Sequence, residues 1–94
     1  MAVKILIKRQ VPEGKEKELA VLLTRLRTLT MSRSGYISGE TLKRFDKPGE
    51  TLVISTWRSV DEWREWVLNK ERTDIQDQID ELLGQKTDYE IYVY

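Results

Sequence analysis

The sequence predicts an α+β fold of order β-α-β-β-α-β, the ferredoxin-like split βαβ arrangement. Three observations carry that prediction: four short extended stretches, longer stretches with apolar residues at helical spacing, and Gly or Pro at most of the joints between them. The chain of 94 residues is short enough for one domain, expected to span 1–94.

Val3-Lys4-Ile5-Leu6-Ile7-Lys8 is β-branched and roughly alternating, so it reads as the first strand. Pro12 and Gly14 then break the pattern. From Lys15 the period changes: Leu19, Leu22, Leu23, Leu26 and Leu29 recur at helical spacing, and this helix should end between Ser32 and Gly35. Tyr36-Ile37-Ser38 and Thr41 to Phe45 predict a second strand, with Gly39 as a candidate bulge. Asp46-Lys47-Pro48-Gly49 has the composition of a turn, because Pro presets φ and Gly tolerates backbone angles that other residues avoid. Thr51 to Trp57 is the third strand, which should pair with the second as a hairpin.

Ser59-Val60-Asp61-Glu62 has the form of a capping box, so a helix should start near Val60 and turn Trp63, Trp66 and Val67 inward. Thr73-Asp74-Ile75-Gln76 repeats that logic, and Ile75, Ile79, Leu82 and Leu83 hold helical spacing up to Gly84. The spacing therefore predicts a helix interrupted between Asn69 and Arg72, with Gly84 just past its C-terminus. Tyr89 to Tyr94 closes the fold as the fourth strand.

Two helices cover one face of a four-stranded sheet. If the other face met water, each strand would alternate strictly between apolar and polar residues. Leu6 breaks that rule against Val3, Ile5 and Ile7, and so do Leu52 and Ile54 against Val53 and Trp57. Tyr92 and Tyr94 oppose Tyr89, Ile91 and Val93 in the same way. The expected partner for the second face is another copy of the chain, in a homodimer through the open sheet face. Burying that apolar area is worth roughly 25 cal/mol per Å² before association costs.

Composition excludes several function classes. Sixteen basic and sixteen acidic residues give zero formal charge, so no basic field for nucleic acid or an anionic membrane is present. No apolar run is long enough to span a bilayer, and no signal-peptide core is recognised, which leaves the cytoplasm as the default expectation. The absence of cysteine removes thiolate chemistry. The absence of histidine removes the commonest general base and metal ligand, and no carboxylate spacing replaces it, so no metal site is expected.

At Thr56-Trp57-Arg58-Ser59-Val60-Asp61-Glu62-Trp63, followed by Trp66, the chain resembles the antibiotic biosynthesis monooxygenase family. Ile5 to Gly14 is similar to the family's first strand and its turn into the helix, and Gly35-Tyr36 stands where its second strand begins. The resemblance implies a dimeric α+β barrel with a pocket between sheet and helices in each subunit. It also implies, for some members, oxidation of phenolic or quinone-type aromatics by molecular oxygen without a cofactor, and only on that footing is no other cofactor expected. Haem-degrading relatives use an Asn on the first strand, a Trp ending the third and a His on the last helix. Only the Trp carries over, at Trp57, so haem degradation by that route is not expected.

The candidate pocket residues are Trp57, Trp66, Asn69 and Tyr36. Trp57 offers a wall on which a flat ligand stacks, although core aromatics at strand ends also simply pack. Trp66 has the same two readings, whereas Tyr36 offers a hydroxyl to a phenolate or else is one of the tyrosines in which strands are simply rich. Asn69 offers an amide to a substrate oxygen, or else ends a helix. Arg9, Arg44 and Arg58 offer partners to an anion or else, as scattered arginines usually do, stand as solvated surface charges, and Tyr89, Tyr92 and Tyr94 read first as sheet and dimer-interface residues. No catalytic residue is assigned. Three functions remain open: a cofactor-independent monooxygenase acting on a small aromatic ligand such as a hydroquinone or anthrone, a non-catalytic small-molecule-binding dimer of the same fold, and a purely structural dimerisation module.

Overall fold

A computed structural model describes residues 2–94. The elements run in the order β1 (Val3–Gln10), α1 (Glu16–Met31), β2 (Tyr36–Lys43), β3 (Glu50–Trp57), α2 (Val60–Val67), α3 (Lys70–Leu83) and β4 (Asp88–Val93). The four strands form one antiparallel sheet ordered β2-β3-β1-β4, the ferredoxin-like topology. No helix among the described residues is long and apolar enough to cross a membrane.

Two local expectations are corrected. The expected interruption of the second helical segment is present, at Leu68 and Asn69 between α2 and α3, and it is the capping residue that differs. Asn69 is extended (φ −64°, ψ 128°), and its side-chain oxygen accepts from the Arg72 amide at 3.1 Å. The cap is thus Asn69 rather than Thr73, which lies within α3 and donates its hydroxyl to the Asn69 carbonyl. The irregularity in β2 falls between Tyr36 and Ser38, not at Gly39, and the strand stops at Lys43, leaving Phe45 fully exposed.

Other local signals act as the chemistry dictates. Ser59 Oγ accepts from the Glu62 amide at 3.2 Å and starts α2. Gly84 adopts the left-handed conformation (φ 72°) that closes α3, with its own amide and that of Gln85 both returned to the Asp80 carbonyl.

Register decides which side chains meet the helices. Val3, Ile5, Ile7 and Arg9 lie opposite Trp57, Ser55, Val53 and Thr51. On the other side of β1, Val3, Ile5 and Ile7 lie opposite Val93, Ile91 and Tyr89. These positions share the helix-covered face, where Val3, Ile5, Arg9, Ser55 and Trp57 are buried. The opposite parity carries Lys4, Leu6, Lys8, Leu42, Leu52, Ile54 and Tyr92. No helix among the described residues covers that face.

The core is in two parts. Val3, Ile5 and Trp57 of the sheet pack with Trp63 and Trp66 of α2. Val11, Leu19, Ile79 and Leu83 pack where α1 meets α3. Leu26 touches both clusters. Each fully buried side chain of this size stabilises the fold by about 1.5–3 kcal/mol, which covers Ile5 and Ile79. The remaining leucines of α1 are only half buried, and Leu23 and Leu26 border an open space between that helix and the sheet.

Candidate functional site

Between the sheet and the helices lies a cavity of about 550 Å³. Its floor is built by the inward parity of the strands: Ile7 and Arg9 from β1, Val53, Ser55 and Trp57 from β3, and Tyr89 from β4. Tyr36, Gly39 and Thr41 of β2 extend that floor towards the sheet edge. One turn after another of α1 contributes Leu23, Arg27 and Thr30, and α2 and α3 supply Trp63, Trp66, Arg72 and Gln76. A space of this size, mostly apolar with a few fixed polar groups, suits a small flat ligand.

An aromatic chain runs along one wall. Tyr36 meets Trp57 edge-on with centroids 5.5 Å apart, and Trp57 stacks on Trp66 at 6.4 Å and 26°. The indole N–H of Trp57 donates to Ser55 Oγ at 2.8 Å, fixing the ring plane. Trp66 carries the Arg33 guanidinium over its ring at 5.3 Å. Trp57 is 1% exposed, so it braces the wall from behind rather than presenting a free face. Tyr36 is only half buried, and its hydroxyl passes close over Gly39, where a Cβ would stand 2.8 Å from that oxygen.

The other wall is polar and buried. Arg72 donates to the Val67 carbonyl and to the Tyr89 hydroxyl, and its guanidinium lies over the Tyr89 ring. Gln76 donates its amide to Asp80 Oδ1 at 2.8 Å and to Thr87 Oγ1 at 2.9 Å, which leaves its own oxygen without a partner among the described residues. Burial pushes the Arg9 pKa down; Tyr89 and Asp80 oppose that shift, and neighbouring Arg72 adds to it. Burial pushes the Tyr89 phenol up against the opposing pull of Arg72 and Arg9, so it stays protonated at neutral pH.

Of the residues singled out from sequence, Tyr36, Trp57 and Trp66 line this cavity together. Asn69 is not among the lining residues, and its side-chain oxygen is occupied by the cap of α3. Trp63 is buried against Tyr89 and also lines the cavity. Sequence reasoning misses Ser55, Arg72, Gln76 and Tyr89, and of the two readings open for Arg9 it favours the solvated one. Arg9, expected as a solvated charge, is 5% exposed. The available signal is parity, since Arg9 continues the Val3, Ile5, Ile7 series, and helical spacing, since Arg72 and Gln76 precede Ile79 and Leu83 on one stripe. Tyr89 likewise shares parity with the inward Ile91 rather than with the open face. Arg44 and Arg58 are exposed and pair with Asp46, Glu50 and Glu62.

Residues 2–78 match the family described as antibiotic biosynthesis monooxygenase. The chain belongs to that family. No curated protein matches it in sequence. Among solved structures, this family member is similar to a conserved protein from Methanosarcina mazei at 21% identity and a TM-score of 0.89, covering 98% of this chain and 91% of that one. SnoaB of Streptomyces nogalater, a cofactor-independent oxygenase, aligns at 15% identity and a TM-score of 0.86 over 99% of this chain and 92% of its own. A Mycobacterium tuberculosis protein aligns at 19% identity and 0.85 over 100% and 95%. These likenesses show a shared fold.

Proposed function

We propose that this monooxygenase-family chain oxidises a small electron-rich aromatic, a hydroquinone or anthrone, with molecular oxygen and without a cofactor. The observation that carries the reading is a cavity walled by Tyr36, Trp57, Trp63 and Trp66 in a chain of this family. Deprotonated, such a substrate gives an electron to oxygen directly. It then supplies both reducing equivalents as one oxygen atom enters the product and the other leaves as water. The chain's task is to bind and orient the ring, with the Tyr36 hydroxyl hydrogen-bonding a substrate oxygen, Trp63 and Trp66 setting the ring's plane, and Trp57 bracing Trp66 from behind.

The same reading takes residues 1–94 as one such domain and makes it a homodimer. Leu6, Leu42, Leu52, Ile54 and Tyr92 lie on the uncovered sheet face, and Leu42 and Tyr92 are about half exposed (48% and 52%). A second copy meeting this face removes that apolar surface from water. Light scattering tests it, and a monomer at micromolar concentration would rule it out.

A non-catalytic small-molecule binder is the second reading. Glu40, exposed, is the one carboxylate lining the cavity among the described residues, so no buried base is at hand for substrate deprotonation. Oxygen uptake over a panel of hydroquinones and anthrones separates the two. Uptake above the protein-free rate that falls in Tyr36→Phe and Trp57→Phe supports the oxidation. Uptake no faster than autoxidation for every compound leaves the binder.

A further inference from the structure

Two guanidiniums are buried at one end of the cavity, and neither has a carboxylate to neutralise it. Arg9 and Arg72 are 5% and 6% exposed. Neither forms an ion pair among the described residues. Arg72 spends its hydrogen bonds on a carbonyl and a phenol, both neutral. The Arg9 side chain donates to no protein acceptor among the described residues, and its Nε is buried without a partner. The nearby acid, Asp80, is occupied on Oδ1 by Gln76 Nε2, the Thr87 amide and the Thr87 hydroxyl. Tyr89 cannot serve as counter-ion while burial keeps it protonated. An uncompensated buried charge is unfavourable, and a fold that retains one is stabilised when an anion arrives.

Beside these cations lies an acceptor in the same condition. Gln76 Oε1 is buried and unpartnered, and the amide cannot turn over, because its nitrogen is committed to Asp80. The wall therefore presents donors needing an anion next to an acceptor needing a hydroxyl. Across the cavity the aromatic residues call for a flat ring between these groups.

We propose that Arg9 and Arg72 form an anion subsite within the cavity, and that its ligand is a hydroxylated aromatic carboxylate. The carboxylate takes the guanidiniums, the hydroxyl donates to Gln76 Oε1, and the ring lies against Trp63 and Trp66. The proposal rests on the proposed oxidation only for the aromatic part of the ligand; the anion subsite stands whether or not oxygen is consumed.

Calorimetric titration with ortho-hydroxynaphthoate and with the matching naphthol tests it, since the two differ only in the carboxylate. Wild-type protein should bind the acid about tenfold or more tightly than the naphthol, as one or two charge-assisted hydrogen bonds predict. Arg9→Met should cut that preference severalfold without weakening the naphthol, leaving only what Arg72 supplies, and Arg9→Lys should keep more of it. The Tm of ligand-free Arg9→Met should equal or exceed that of wild type, because the variant removes an unpaired buried charge. Equal affinity for the two compounds, an undiminished preference in Arg9→Met, or a lowered Tm for that variant overturns the subsite. Binding of neither compound overturns it together with the aromatic pocket. Oxygen uptake is read separately, so a tight acid preference with no uptake fails the oxidation reading alone.

Discussion

Ser55 Oγ accepts the indole N–H of Trp57 at 2.8 Å, two residues along the same face of β3. Both are buried, at 7% and 1% exposure. Ser55→Ala strands a buried donor and should cost about 1–3 kcal/mol. Urea unfolding should show a lower midpoint with an unchanged slope. A midpoint equal to wild type would mean that the indole nitrogen finds another acceptor.

Gly39 and Tyr36 offer the reverse case, a change felt by the cavity and not by the fold. A Cβ on Gly39 would stand 2.8 Å from the Tyr36 hydroxyl and 3.8 Å from the nearest backbone oxygen, that of Ile54. What must move is the tip of a half-buried side chain. Gly39→Ala should therefore leave stability within about 1 kcal/mol of wild type. It should weaken an aromatic ligand that hydrogen-bonds to Tyr36, and Tyr36→Phe should weaken it to a similar extent. Calorimetry on both variants checks this, and full affinity in Gly39→Ala would place the ligand away from Tyr36.

How far the sequence discloses this arrangement depends on what each residue contributes alone. The strand order, the hairpin at Pro48-Gly49, the Ser59 cap and the Gly84 stop are local chemistry, and they are legible. The break before α3 is visible, but its agent is not: Thr73-Asp74 imitates a cap as well as Asn69 does, and only backbone geometry chooses between them. Arg9 and Tyr89 are easily misread because arginine suggests solvent and tyrosine suits any sheet position. Their parity with Val3 and Ile5 outweighs both tendencies, since a one-residue shift in register would expose the whole apolar row. The leucines of α1 predict a packed core face; part of that face borders the cavity, a difference that periodicity does not encode.

Glu62 links the loop before β2 to the start of α2. It accepts from both Ser34 and Ser59 hydroxyls and pairs with Arg58 at 2.6 Å. The Arg58 guanidinium, burial working against it, and the two serines hold its pKa down at about 2, below the ordinary 4.5. A carboxyl with a depressed native pKa stabilises the fold above its unfolded pKa and loses that contribution as pH falls towards the native one. Glu62→Gln should thus be less stable than wild type at neutral pH, and the gap should close as pH falls from 4.5 to 2. Denaturant midpoints of the two proteins across that range check the sign, and a gap that widens on acidification would contradict it.

Asn69 separates two roles that look alike in sequence, a polar side chain offered to a substrate and one spent on the backbone. Its oxygen accepts from the Arg72 amide at 3.1 Å, and Arg72 in turn is a buried cation of the cavity. Removing the cap by Asn69→Ala should cost about 1 kcal/mol. Asn69→Asp should retain the cap, because a carboxylate accepts the same amide proton and favours the positive helix end. If capping is the whole of its role, ligand affinity measured well below the unfolding transition should be the same in wild type and both variants. A loss of affinity in Asn69→Ala that Asn69→Asp restores would mean that the cap positions Arg72 for the ligand. A loss in both variants, with stability intact in Asn69→Asp, would instead return the amide to the binding site.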